Sequence, residues 1–178
     1  SNTPQGFISV SLSGDGSLLA LGTVNSNSNA ALVYQWSQHS WQQRGATIES
    51  KVAGETHVSL SNNGGVLIVG EPLYDSKKGQ ARIYEWSNDT WVQLGDDING
   101  KSVNSELGGK GEVYVNGSGS FVAVGALDYD TNVGYSQVYQ ISKSIHLSSI
   151  SGVDILAEKS YVDSNLATER TRTEAAEQ

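Results

Sequence analysis

Gly95-Asp96-Asp97-Ile98-Asn99-Gly100-Lys101-Ser102 spells the G-x-x-x-x-G-K-S string with which a phosphate-binding loop cradles a nucleotide. That chemistry needs a helix whose first amides face the phosphates. Val103 to Gly109 is poor helix material, and Asp96 and Asp97 would set negative charge against the ligand, so the string reads as a turn. A second string, Asp128-Tyr129-Asp130-Thr131-Asn132-Val133-Gly134, puts oxygen-bearing side chains at alternate positions, as loops for hard cations do. Asp128, Asp130 and Asn132 are its calcium candidates. The glutamate that would complete a helix–loop–helix site is absent, Tyr139 standing in its place, and the matching Leu73-to-Gly79 loop has one carboxylate, Asp75, and two lysines. His39, His57 and His146 are scattered with no metal-ligand spacing. There is no Gly-x-Ser-x-Gly elbow, no cysteine for thiol chemistry, and no nominated acid–base pair. The expectation is a chain that is not an enzyme and takes no cofactor other than calcium. Asn88-Asp89-Thr90 and Asn116-Gly117-Ser118 fit the glycosylation acceptor pattern, both in expected hairpin turns.

The elements that must carry these loops announce themselves by repetition. Leu12-Ser13-Gly14-Asp15-Gly16-Ser17-Leu18-Leu19-Ala20-Leu21-Gly22 returns at Leu60 to Gly70, and more loosely at Val115 to Gly125. A period of this size marks an array of small β units, none able to bury its apolar face alone. Phe7 to Leu12 alternates at period two, Asp15-Gly16 signals a hairpin, and Leu18 to Leu21 is a short apolar strand. Ala31 to Trp36 and Trp41 to Arg44 supply a third and fourth strand. The second unit copies this with Tyr84, Trp86, Trp91 and Gly95 in the places of Tyr34, Trp36, Trp41 and Gly45. Aromatics recurring in register predict equivalent interior positions. The third unit has Glu112 to Val115, Phe121 to Val124 and Ser136 to Ile141, with Tyr139 for Tyr84, and then its fourth strand is missing or replaced.

After a Ser-rich connector the character changes. Ile155, Val162 and Leu166 fall at helical spacing behind Asp154 as an N-cap. So narrow a stripe predicts a helix that meets other copies of itself in a coiled coil. The expected division is a β-repeat domain over 1–141, a linker over 142–153 and an oligomerising helix over 154–178. The chain has 178 residues, 20 glycines and a net charge of −8, which disfavours nucleic acid and anionic membranes as partners. No apolar run reaches membrane-span length. The sequence contains no methionine, which suits a piece of a longer or processed protein.

The unit resembles the FG-GAP-like family of β-propeller repeats, in which a Val-Gly-Ala-Pro strand end precedes an Asp-x-x-x-Gly turn. The matching residues are Val69-Gly70-Glu71-Pro72 with Asp75 and Gly79, and Val124-Gly125-Ala126 with Asp130 and Gly134; Leu21-Gly22-Thr23-Val24 lacks the Asp. The resemblance spans about residues 6 to 141 and implies a propeller-like fold whose loops often hold calcium. Ala157 to Thr168, containing Lys159-Ser160-Tyr161-Val162-Asp163, is similar to segments of bacteriophage and other viral tail-fibre proteins that join a globular part to a trimeric stalk.

The fold expected is therefore all-β, with three propeller-like repeats of about four antiparallel strands, plus a C-terminal α-helix. The function expected is a structural or receptor-binding module of a viral tail fibre on the virion, a homotrimer attaching multivalently to a host-surface glycan or protein. The contact loops would carry Asn25, Asn27, Asn29, Tyr74 and Tyr129. The alternative is a secreted or cell-surface adhesion propeller with calcium-binding loops.

Overall fold

A computed structural model describes residues 6–25, 30–109, 111–127, 134–143 and 155–160. These form three antiparallel sheets. The first is the meander β1 (Gly6–Leu12), β2 (Leu18–Asn25), β3 (Ala30–Ser37) and β4 (Ser40–Gln43), widened by β5 (Ile48–Glu49) on β3 and β6 (Gly54–Glu55) on β2. The second runs β7 (His57–Leu60), β8 (Val66–Glu71), β9 (Gln80–Ser87) and β10 (Thr90–Asn99). The third runs β11 (Val113–Val115), β12 (Phe121–Ala126), β13 (Tyr135–Lys143) and β14 (Ile155–Ser160). The phosphate-loop string thus lies largely within β10 and leads into no helix.

β14 corrects the expected helix. Ile155, named for the oligomerising stripe, pairs with Lys143, and Ser160 with Val138. The third sheet recruits its fourth strand from beyond the serine-rich connector, because a β13 edge left bare would expose a row of unpaired backbone groups. Val162 and Leu166 lie outside the described residues.

The sheets stack with β7 between β1 and β11. Successive residues of a strand point to opposite faces, so the second sheet serves two cores. Leu67, Val69 and Tyr84 join Val58 and Leu60 against Leu18, Ala20 and Val33 of the first sheet. Val66, Ile68 and Ile83 join Leu94 against Val113, Val122, Val124 and Tyr139 of the third. Burial on both faces is why β8 reads as an unbroken apolar run.

Small residues make the seams close. A Cβ on Gly22 would lie 2.0 Å from the Thr56 carbonyl oxygen, and one on Gly70 2.1 Å from that of Gly108. The glycine late in each of these second strands therefore makes room for the backbone that leads into the next sheet. Serines stitch the inner strands together: Leu60 N–H donates to Ser11 Oγ at 3.0 Å, and Val115 N–H to Ser59 Oγ at 3.2 Å. The first hairpin turns are linked as well. Gly14 N–H donates to the Asn62 carbonyl at 2.9 Å, and Asn62 N–H to that of Gly117 at 3.0 Å.

The first of these turns carries a pH signature. Asp15 accepts hydrogen bonds from Ser17 N–H at 3.0 Å, Ser13 Oγ at 2.7 Å and Ser17 Oγ at 2.9 Å. The Ser17 amide first, then the Ser13 and Ser17 hydroxyls, hold its carboxyl down at about 2. Its folded value lies below the ordinary carboxylate value of about 3.9, so its stabilisation is complete above that value and is lost as pH falls towards 2. Asn63 fills the same place in the second sheet, accepting from Ser61 Oγ at 2.7 Å, so Asp15→Asn is a substitution the repeat already tolerates. Thermal denaturation of both proteins should show a stability gap that is constant from pH 7 to 5 and has mostly closed by pH 2. A gap as large at pH 2 as at pH 7 would refute this role for the carboxylate.

The aromatic pairs separate the two outer hairpins. Trp36 faces Trp41 edge to face at 5.4 Å between ring centres, and Trp86 faces Trp91 at 5.2 Å. Trp86 is covered by the first sheet, with the Arg44 guanidinium 4.3 Å from its ring, and Trp91 Nε1 donates to the Arg44 carbonyl at 3.1 Å. Trp36 and Trp41 are exposed. The expectation of equivalent interior rings fails for the first pair, because no sheet precedes it among the described residues to play the part of Arg44.

Candidate functional site

The connection that leaves the second strand of the second sheet is the one of its kind that the structure describes in full. There, between β8 and β9, Tyr74–Lys77 forms a tight turn in which Asp75, Ser76 and Lys77 take φ values of 45°, 56° and 64°. Three consecutive non-glycine residues in the left-handed region are costly, since the Cβ of an L-residue crowds its own carbonyl there. The turn is held by its neighbour: Glu106 N–H donates to the Lys77 carbonyl at 2.8 Å, and Leu107 N–H to that of Lys78 at 3.1 Å. Lys77 Nζ lies 3.1 Å from Glu106 Oε1, and Lys78 Nζ 2.7 Å from Asp75 Oδ2.

Beside the turn is a cavity of about 220 Å³ in which Glu55, Lys77 and Glu106 stand over Pro72, Leu73 and Leu127. Its wall draws on the edge strand β6 of the first sheet, on the segments that follow β8 and β10, and on the residue after β12. The lining combines charged groups of both signs with three apolar side chains, a mixture suited to a small polar molecule with a carbon skeleton. Glu55 is tied to the buried His57, whose Nε2 is 3.2 Å from Glu55 Oε2.

Sealed in the seam between the first and second sheets sits a polar cluster that no motif in the sequence announces. Arg82 Nη2 lies 2.6 Å from Glu71 Oε1 and 2.9 Å from the Glu49 carbonyl, while Arg82 Nη1 donates to Tyr84 Oη at 2.6 Å. Glu71 also accepts from Lys51 N–H at 3.0 Å and from Gln80 Nε2. Burial, partly offset by Arg82, pushes the Tyr84 phenol up to about 12, so it meets the guanidinium as a neutral acceptor. A pointer to this cluster was in the sequence: Glu71, Gln80 and Arg82 occupy the places of Thr23, Ala30 and Leu32 in the first repeat. At the edge of the same seam Lys51 Nζ meets Asp97 Oδ2 at 2.5 Å. Asp97 is pushed up by burial but ends below the usual carboxylate range, because the hydrogen bonds from Lys51 and Gln93 outweigh that effect.

Of the expected contact residues, Tyr74 opens the strained turn and Asn25 ends β2, its backbone paired with Gly54. Asn27, Asn29 and Tyr129 lie outside the described residues, as do Asp128, Asp130 and Asn132, the calcium candidates. Among the described residues no three His, Asp or Glu side chains gather in a metal-holding group, and no helix is long and apolar enough to cross a membrane.

No protein-family model and no curated protein sequence matches the chain. Among solved structures, 90% of the chain superposes on 41% of a putative 6-phosphogluconolactonase from Bacteroides uniformis, with a TM-score of 0.57 and 19% identity. The fold is propeller-like. TolB from Acinetobacter baumannii is a more distant match, with 85% of this chain on 32% of that one at a TM-score of 0.42 and 15% identity. The chain spans less than half the length of either. At such identity the likeness is one of architecture. It overturns the expectation that the chain is not an enzyme, since the same architecture carries an enzyme's name in the Bacteroides protein. The absence of a nominated acid pair never excluded one, because catalytic groups distant in sequence meet only on folding.

Proposed function

We propose that the three sheets are successive blades of an FG-GAP-like propeller, and that the cavity beside the Tyr74–Lys77 turn is the recognition surface of an attachment module of the viral-fibre type, binding a carbohydrate on a host surface. The observation that carries the reading is the strained Tyr74–Lys77 turn at the rim of a cavity to which all three sheets contribute a residue. Backbone strain persists where surrounding structure over-determines it, and such places cluster at ligand sites. Glu55, Lys77 and Glu106 offer acceptors and a donor to sugar hydroxyls, and Pro72, Leu73 and Leu127 offer apolar contacts to a sugar's C–H groups. A phosphorylated sugar is a poorer match, since the carboxylates of Glu55 and Glu106 line the cavity with Lys77. Weak single contacts of this kind serve attachment when presented in several copies.

The test is a glycan panel read by saturation-transfer NMR, with product analysis of every hit. We expect a neutral or amino sugar to bind in the millimolar range and Lys77→Ala to weaken it at least tenfold. Absence of binding across the panel, or binding that ignores Lys77→Ala, would sink the proposal; a converted sugar would replace attachment with catalysis at the same cavity.

A further inference from the structure

The two seams between the sheets follow one plan, and one exchange of side chains sets them apart. In the first seam the residue just after β4 is Arg44. Its guanidinium lies 4.3 Å from the Trp86 ring, and its Nη1 donates to the Gly64 carbonyl at 3.4 Å. In the second seam the same place belongs to Leu94, which is buried in the core. The backbone makes the two equivalent: Arg44 N–H donates to the Val33 carbonyl, and Leu94 pairs with Ile83, the repeat partner of Val33. The turns match as well. A Cβ on Gly64 would lie 2.0 Å from Leu18 Cδ1, and one on Gly119, its repeat partner, 2.8 Å from Val66 Cγ2. Where the second seam has no guanidinium it has a cavity of about 260 Å³. Asn63, Glu85 and Trp86 of the second sheet line it, with Ser118, Ser120 and Ile141 of the third.

The other half of the exchange is in the charge. Glu85 stands where the first sheet has Gln35. Side chains alternate along β9, so Glu85 shares with Ile83 the face turned to the third sheet. The seam that carries its own cation has a neutral amide at this place. The seam that lacks the cation has a carboxylate, and Glu85 is the charged residue of the cavity wall among the described residues. We infer that this cavity binds a guanidinium group supplied from outside the chain, in the place that Arg44 fills in the first seam. Glu85 balances its charge and accepts two of its N–H groups, since a planar guanidinium matches a carboxylate with paired hydrogen bonds. The Gly119 carbonyl takes the part of Gly64, and Ile141 and Trp86 give apolar contact to the attached carbons. An ammonium fits less well, being a compact and strongly hydrated charge without that fork. The site shares no residue with the carbohydrate cavity, so the two readings stand or fall separately.

NMR titration of the nitrogen-labelled 178-residue chain tests it, with methylguanidinium, n-butylammonium and doubly capped arginine as probes. Methylguanidinium should move the backbone amide signals of Ser118, Gly119 and Ser120 and the Trp86 indole N–H signal. Butylammonium should bind about tenfold more weakly. Capped arginine binding more tightly than methylguanidinium assigns the group to an arginine side chain of a polypeptide; equal binding assigns it to a free guanidino compound. Glu85→Gln installs the first sheet's residue, so the fold should melt at an unchanged temperature while guanidinium binding weakens about tenfold. Leu94→Arg installs the first sheet's own cation and should abolish binding by filling the cavity. If that variant does not fold, Glu85→Gln and the butylammonium comparison decide. The inference is overturned if methylguanidinium leaves those signals in place, if butylammonium binds equally well, or if binding survives Glu85→Gln or a folded Leu94→Arg undiminished.

Discussion

Arg82→Met is expected to lower the stability of this chain by about 3–5 kcal/mol in urea denaturation, the range for removing one partner of a buried ion pair. Glu71 is fully buried and Arg82 nearly so. Removing the guanidinium leaves the Glu71 carboxylate without its cation, and the Glu49 carbonyl and the Tyr84 hydroxyl without a donor. The cost is chiefly the unpaired charge and not the value of the pair, because desolvation absorbs much of what the pair gains. The first repeat supplies the control. Glu71→Thr, Gln80→Ala and Arg82→Leu together install the residues of the first sheet, where Thr23 Oγ1 accepts from Ala30 N–H at 2.8 Å. That triple variant should recover more than half of the loss. If Arg82→Met proves nearly neutral, or the triple variant is no better than the single one, the cluster is not a sealed clamp between sheets.

Leu67→Ala should cost about 2–5 kcal/mol, the range for emptying a fully buried leucine site. Leu67 pairs across β7 and β8 with Leu60 and across β8 and β9 with Tyr84, within the core between the first two sheets. Leu19 has the same neighbours by register, Leu12 and Tyr34. It lies on the bare outer face, half-buried, and Leu19→Ala should cost about 1 kcal/mol, since little apolar area returns to water. Equal losses at the two positions would mean that the first sheet's outer face is covered within one chain.

These paired positions show how much could be read without a structure. The strand-turn-strand unit was legible because turn chemistry and period-two alternation are local: Asp15-Gly16, Asn63-Gly64 and the Val-Gly strand ends speak for themselves. The third sheet's last strand was hidden. Ile155 to Ser160 carries helix-compatible residues at helical spacing, and only the unpaired edge of β13, twelve residues back, makes a strand of it. The Glu71–Arg82 clamp was hidden for a related reason. Its members lie on three strands and a loop, and a lone acidic or basic residue in a strand reads as solvated until its neighbours are known. The cavity beside the strained turn is a further case, since Glu55, Lys77 and Glu106 are far apart in the chain and no motif joins them.

Local chemistry set what repeats: where the hairpins turn, which residue types alternate, and where glycine must leave room for a neighbouring backbone. Tertiary structure alone decided which copy of each repeated residue is interior. Burial belongs to the pair of surfaces that meet and not to the side chain, so Leu67 and Leu19, or Trp86 and Trp36, share a sequence context and differ in whether a sheet lies against them.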